Sequence, residues 1–247
     1  MKRCVLCLAV LALFAGSLLR TDGAAPADVS KVLSVEDLAA EAKDTARKLA
    51  NAVASQESFD RAIEQKTITR GGGLIACLAQ AIAEHKEGKE TGIAAAALRD
   101  AALGLRGTKK LDDAKSALEK VNAALEGEGD KAETEFAWNK LINMHRMMEE
   151  IEVRQGSLRR TLSRPRRLPR SSGNATVIAV LSLAMEADTH EVKNKDDLPK
   201  WADWSKKYRE AMSQLAAAMK ADEAEKAQGI FKASVEHCDA CHEKFRD

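Results

Sequence analysis

The sequence predicts an all-α protein. Aromatic residues make up only 4% of the chain and prolines number four. Alanine, lysine, glutamate and leucine dominate instead, residues that lose little entropy in a helix. Almost every segment after residue 34 repeats its apolar side chains at helical spacing, and no alternating strand pattern stands out.

Taken in order, the periodicity predicts helices over Val35–Gln65, Gly73–Glu87, Gly92–Leu105, Leu111–Leu125, Lys131–Ser163, Ala175–Thr189, Lys200–Ala221 and Asp222–Phe245. Stop signals separate them: Gly71-Gly72-Gly73, Gly88, Gly107, Gly127-Glu128-Gly129, the 165–174 loop and the 194–199 loop. Asp222 is the expected N-cap of the last helix, with Glu223 in a first turn where the helix dipole favours acids.

The eight expected helices read as two copies of a four-helix unit. Leu74-Ile75-Ala76-Cys77-Leu78 aligns with Val177-Ile178-Ala179-Val180-Leu181 at an offset of 103. Leu98-Arg99-Asp100-Ala101 aligns with Tyr208-Arg209-Glu210-Ala211, and Asp112-Asp113-Ala114 with Asp222-Glu223-Ala224, at an offset of 110. The added residues fall in the 191–199 loop, where insertions are cheap. The expected organisation is therefore a leader over 1–27, a first unit over 28–128 and a second over 129–247, with two tandem four-helix bundles as the fold.

Residues 1–27 have the marks of a signal peptide. Lys2 and Arg3 precede an apolar run from Cys4 to Ala15, too short for the roughly 20 residues a spanning helix needs. Cleavage patterns of small residues occur at Ala15-Gly16-Ser17 and Ala25-Pro26-Ala27. The expected location is the periplasm or an equivalent exported compartment, without stable membrane insertion once the leader is removed. Removing it leaves Cys77, Cys238 and Cys241, too few for a disulfide scaffold. With 39 basic against 38 acidic residues, overall charge points to no nucleic-acid partner.

The informative motif is Cys238-Asp239-Ala240-Cys241-His242. Two thiols spaced i, i+3 on a helix can each add to one vinyl group of a haem, and the next histidine then offers its imidazole to the iron. The expectation is one covalent haem c, held by Cys238 and Cys241, with His242 as axial iron ligand. A zinc site would need a fourth ligand, for which only His237 is local, and a redox disulfide would not explain His242. In the first copy Ala123-Ala124-Leu125-Glu126-Gly127 occupies the corresponding place, so no comparable haem site is expected there.

With the motif at its far C-terminus, followed by Phe245 and Arg246, the second half resembles the cytochrome c-prime family of four-helix-bundle cytochromes. Trp204, Tyr208, Leu215 and Ala216-Ala217-Ala218 resemble that family's third helix, and the resemblance covers about 131–247. It implies haem on Cys238 and Cys241, His242 as axial ligand and Arg246 beside the proximal imidazole. The alternative for Arg246 is an exposed terminal cation favoured by the helix dipole.

The distal side is less determined. Arg154-Gln155-Gly156-Ser157-Leu158 resembles the family's distal pattern, which would set Leu158 against the iron. In an up-down-up-down bundle, however, counting back from Ser163 by the some 30 Å that separate His242 from its helix start reaches 144–148. Leu158 would then lie most of a bundle length away. Met144, Met147 and Met148 are the alternative distal ligands, with His145 behind them, although methionines at helical spacing are commonly core filler. An open or leucine-blocked position is the remaining alternative. Methionine ligation fits electron transfer to redox partner proteins; an empty site fits a gas-binding module.

Other features carry less. Six arginines and no acid between Arg159 and Arg170 are a docking patch or a solvated loop. Trp138, Trp201 and Trp204 are expected as packing residues near the haem, and Cys77 as a small core residue. His85, His190 and His237 belong to no motif. No paired carboxylates, nucleophile–base pair or phosphate-cradling loop is visible, so no enzyme is expected. A homodimer is allowed by the sequence, and the haem-free unit could bind a partner.

Overall fold

The computed structural model describes residues 25–129, 131–166 and 168–246. The expected leader therefore lies outside the described residues except for Ala25, Pro26 and Ala27. Among the described residues the fold is all-helical, with no strand. In order come α1 (Val35–Ala52), α2 (Gln56–Glu64), α3 (Thr67–Glu84), α4 (Ala95–Arg106), α5 (Leu111–Leu125), α6 (Met144–Ser163), the single turn α7 (Leu168–Ser171), α8 (Gly173–Ala187), α9 (Leu198–Lys220) and α10 (Ala224–Phe245). None of the described helices is long and apolar enough to cross a membrane.

The helix starts follow local chemistry. Ser34 Oγ accepts from the Asp37 amide at 3.4 Å, with Glu36 and Asp37 in the first turn of α1. Asn143 Oδ1 accepts from the His145 amide at 3.0 Å and so starts α6. The expected helix over Val35–Gln65 is two, because Ser55 caps a new start by accepting from the Ser58 amide at 3.2 Å. The expected cap at Asp222 is also corrected: Asp222 takes a left-handed φ of 57°, and Glu223 precedes α10 without a side-chain cap.

Two larger differences come from packing. Gly71-Gly72-Gly73 does not stop a helix; all three lie buried inside α3. A Cβ on Gly72 would stand 2.9 Å from the Ala102 carbonyl oxygen and the Arg106 nitrogen of α4, so glycine permits the two backbones to approach. Gly71 makes the same allowance for Leu49 and Gly73 for Ile142. The second difference is over Lys131–Ser163, where the helix starts only at Met144. The preceding residues form a strap with one 3₁₀ turn at Trp138–Lys140. The strap is tied to α3: the Thr134 carbonyl accepts from Gln80 Nε2 at 3.0 Å, and Trp138 Nε1 donates to Glu84 at 2.8 Å. These side-chain partners compete with the strap's own helical bonds.

Helix neighbours form two cycles. α1 packs on α3, α3 on α4, α4 on α5, and α5 returns to α1; α6, α8, α9 and α10 follow the same order. The cycles meet where α8 lies against α3 and α1, and α3 against α6. One continuous apolar core runs through both. α3 and α8 sit at its centre, with Ile75, Cys77 and Leu78 of the first and Val177, Ile178 and Leu181 of the second fully buried.

Candidate functional site

The motif lies near the C-terminal end of α10. On a helix of 3.6 residues per turn, Cys238, Cys241 and His242 fall within about 100° of arc. Both thiols are free and half-buried, packed against the core, whereas the His242 imidazole is exposed. α10 packs closely on α9 and only lightly on α6.

The Cys238 sulfur sits between those helices. Gln155 Nε2 on α6 donates to it at 3.4 Å and to the Tyr208 hydroxyl on α9 at 2.7 Å. The Cys238 thiol itself points to the Ser234 carbonyl at 3.6 Å. Burial raises the Cys238 pKa, and the hydrogen bonds from Tyr208 and Gln155 only partly oppose it. Cys241 is pushed up to about 11, first by burial and then by the neighbouring Cys238. Tyr208, almost fully buried, is raised well above the ordinary tyrosine range by desolvation. Both thiols therefore stay protonated at neutral pH.

Beyond the motif the chain is anchored by an aromatic corner. Phe245 lies edge-on to Trp201 at 5.1 Å and to Trp204 at 5.7 Å between ring centres. Trp201 Nε1 donates to the Met185 carbonyl at 3.0 Å, and Lys244 pairs with Asp197 at 3.0 Å. Arg246 is exposed, its backbone amide donating to the His242 carbonyl at 3.0 Å. Trp138 does not join this corner, since it bonds Glu84 at the end of α3.

On α6 the candidate distal residues separate. Met144 and Met147 are buried in the core, as is Leu158. Met148 is half-buried and precedes Gln155 by one heptad, with Leu162 one heptad further on. Gln155 touches Cys238, and the Leu162 carbonyl accepts from Gln228 Nε2 at 2.8 Å. Met148 thus shares the side of α6 that faces α10. His145 is exposed, with Nε2 3.4 Å from Glu149.

These contacts correct the bundle-length count. Antiparallel α6 and α10 bring Gln155 level with Cys238, which sets His242 level with about residue 151, so Leu158 stands about two turns from that level, not a bundle length away. Residues 144–148, where that count arrives, lie about one to two turns from the same level on the other side. The Gln155–Tyr208 pair was not predicted as part of the site; the Arg154–Leu158 pattern and Tyr208 were its only sequence signals. The Arg159–Arg170 segment adjoins Gln228, some 14 residues and about 21 Å before His242 along α10. Arg167 lies outside the described residues.

Among the described residues no group of three or more His, Cys, Asp or Glu side chains is placed to hold a metal ion. The donor set does fit covalent haem attachment: two free thiols one turn apart on a lightly packed seam, and an exposed imidazole next to them. In comparisons with known proteins, the chain matches no family model, no curated protein and no solved structure.

Proposed function

We propose that the chain is an exported c-type cytochrome that carries one haem on Cys238 and Cys241 and passes single electrons to redox partner proteins. The observation that carries this reading is the pair of free, half-buried thiols on one helical turn with the exposed His242 imidazole beside them. Cys238 and Cys241 would hold the haem through thioether bonds, each sulfur joining one vinyl group whose other carbon would take the thiol hydrogen. His242 would hold the iron through an imidazole nitrogen. When bound, the haem supplies the one-electron couple. Trp201, Trp204 and Phe245 shield its surroundings from water.

In this reading the fold is two tandem four-helix bundles of the cytochrome c-prime type, only the second carrying haem. The two cycles of neighbouring helices support it. So do Glu41 on α1 and Glu150 on α6, seven residues past their respective N-caps and both paired with Arg154.

A gas-binding module is the second reading, favoured by the burial of Met144 and Met147 in the common core. Absorption spectra of the holoprotein with and without carbon monoxide separate the two. No carbon monoxide shift is expected of an electron carrier with two axial ligands; a high-spin spectrum that shifts favours the gas binder. Cys238→Ala combined with Cys241→Ala should abolish covalent haem staining, and stain that persists would refute attachment.

A further inference from the structure

The arginine-rich segment at 159–170 forms one exposed surface. Arg159 and Arg160 lie near the end of α6, Arg164 and Arg166 follow it, and Arg170 is on α7; all five are exposed. None of them reaches a carboxylate among the described residues. α10 begins beside the segment, since Gln228 bonds the Leu162 carbonyl, yet its Glu223 pairs with Lys226 at 2.7 Å. Other exposed cations sit among acids. Arg61 pairs with Glu57 and Lys207 with Asp203, and Lys115 and Lys120 on α5 are interspersed with Asp112, Asp113 and Glu119.

Stability does not account for this cluster. The negative C-terminal end of α6 favours Arg160, but Arg170 stands three residues before Gly173, at the positive end of α8. Like charges held so close also repel one another. The whole chain has a net charge of +1, and the segment alone holds six arginines and no acid, so the rest of the chain is at −5. The surplus positive charge is gathered in one place.

We propose that this surface adsorbs the protein to an anionic phospholipid membrane through the headgroup phosphates. The segment contains no lysine, and the guanidinium fork binds phosphate oxygens in pairs where an ammonium is only a point charge. A specific protein partner would want large apolar anchors at the centre of its contact. Leu162 and Leu168 of the segment are buried in the core instead. Among the described residues the exposed large apolar side chains are Val153, two turns before Arg160, and Leu198 at the start of α9. A charged lipid surface needs no such anchor, because each cation near it adds its own attraction. No described helix can cross a membrane, so the attachment is peripheral and sensitive to salt. The thiol motif, about 21 Å further along α10, stays clear of the contact. This surface does not depend on haem, so its test stands whether or not the cytochrome reading does.

Co-sedimentation of the full chain with vesicles of equimolar phosphatidylglycerol and phosphatidylcholine tests it. Binding is expected at low salt, with most of it lost at about 0.5 M salt. Replacing Arg159, Arg160, Arg164, Arg166 and Arg170 by glutamine should weaken it by about a hundredfold or more, while the melting temperature holds or rises. Lysine at the same five positions should keep most of the binding. Removing exposed cations elsewhere, by Lys109→Gln, Lys110→Gln, Lys115→Gln and Lys120→Gln together, should change it by less than about threefold. The leader is common to all these chains, so the differences among them read the arginines alone. Equal binding by the native and glutamine chains, or equally tight binding to phosphatidylcholine alone, would overturn the membrane contact. If the native chain binds a polyaspartate peptide but not the vesicles, the partner is an acidic protein and the membrane reading fails.

Discussion

The Gln155 amide stands 3.4 Å from the Cys238 sulfur and joins it to the Tyr208 hydroxyl. One side chain thus ties three helices together at the point where the chain presents its thiols. In the protein without haem, this contact opposes the effect of burial on Cys238. Replacing Gln155 by leucine removes a donor that favours the thiolate, so the Cys238 pKa rises further. In a Cys241→Ala background, alkylation by iodoacetamide near pH 9 should slow on Gln155→Leu, and an unchanged rate would show that the contact does not act on the thiol.

Cys241 gives a separate pH prediction. Its pKa is pushed up to about 11, mainly by burial. Alkylation of the haem-free protein in a Cys238→Ala background should rise only as pH climbs well above the ordinary thiol range of about 8.5, although that background removes the smaller contribution of Cys238. The folded state then holds its proton where the unfolded state has lost it. Stability therefore falls as pH rises from the unfolded thiol value towards the folded one. A rate profile centred on the ordinary thiol value would mean that the packed helix opens readily.

The three methionines of α6 should behave unalike in the haem-loaded protein. Met147 is 0% exposed and Met144 6%, both in the common core. Truncating Met147 to alanine should cost about 2–5 kcal/mol by denaturant unfolding. Met148 shares the α10-facing side with Gln155, and it is the one whose replacement by leucine should alter the haem spectrum. If Met148→Leu leaves the spectrum untouched, Met148 does not serve the iron.

The helices were legible because alanine-rich amphipathic segments announce their own period, and the thiol–imidazole motif was legible because its spacing is local. What the sequence did not disclose depends on partners distant along the chain. Gly71 to Gly73 reads as a break until Leu49, Ala102, Arg106 and Ile142 are seen against them. Residues 131–143 have helical composition, yet Gln80, Glu84 and Arg99 bind that strap in another conformation. The level of Gln155 on α10 likewise follows from helix crossing, which no residue count contains.

Gly72 offers a direct test of the close approach. A Cβ there meets α4 backbone at 2.9 Å, which cannot rotate away, whereas on Gly71 it meets only the Leu49 side chain. Helix propensity alone would favour alanine at either position by about 1 kcal/mol. Gly72→Ala should instead destabilise by about 1–3 kcal/mol, through overpacking. Gly71→Ala should cost less, since Leu49 can change rotamer. Equal melting temperatures for the two variants would mean that α3 and α4 separate without cost.

A buried charge cluster joins the two cycles of helices and predicts a pH-dependent defect. Arg154 Nε donates to Glu150 at 2.7 Å, and its Nη1 reaches Glu41 at 3.5 Å and Asn174 at 3.4 Å. Arg70 also approaches Glu150, at 3.4 Å. Burial raises the Glu41 pKa, and Arg154 is the main influence pulling it back down. Arg154→Met should cost about 3 kcal/mol at neutral pH, because it leaves buried carboxylates with too few partners. Without the arginine, the folded Glu41 pKa climbs further above the unfolded value of about 4.3. A carboxyl raised on folding binds its proton more tightly in the folded state, so stability is lost as pH rises through that interval and regained as it falls. The deficit of Arg154→Met relative to the native chain should therefore shrink between pH 7 and about 5. Urea unfolding at both values decides it: a deficit independent of pH would assign the cost to lost packing, not to the unpaired charge on Glu41.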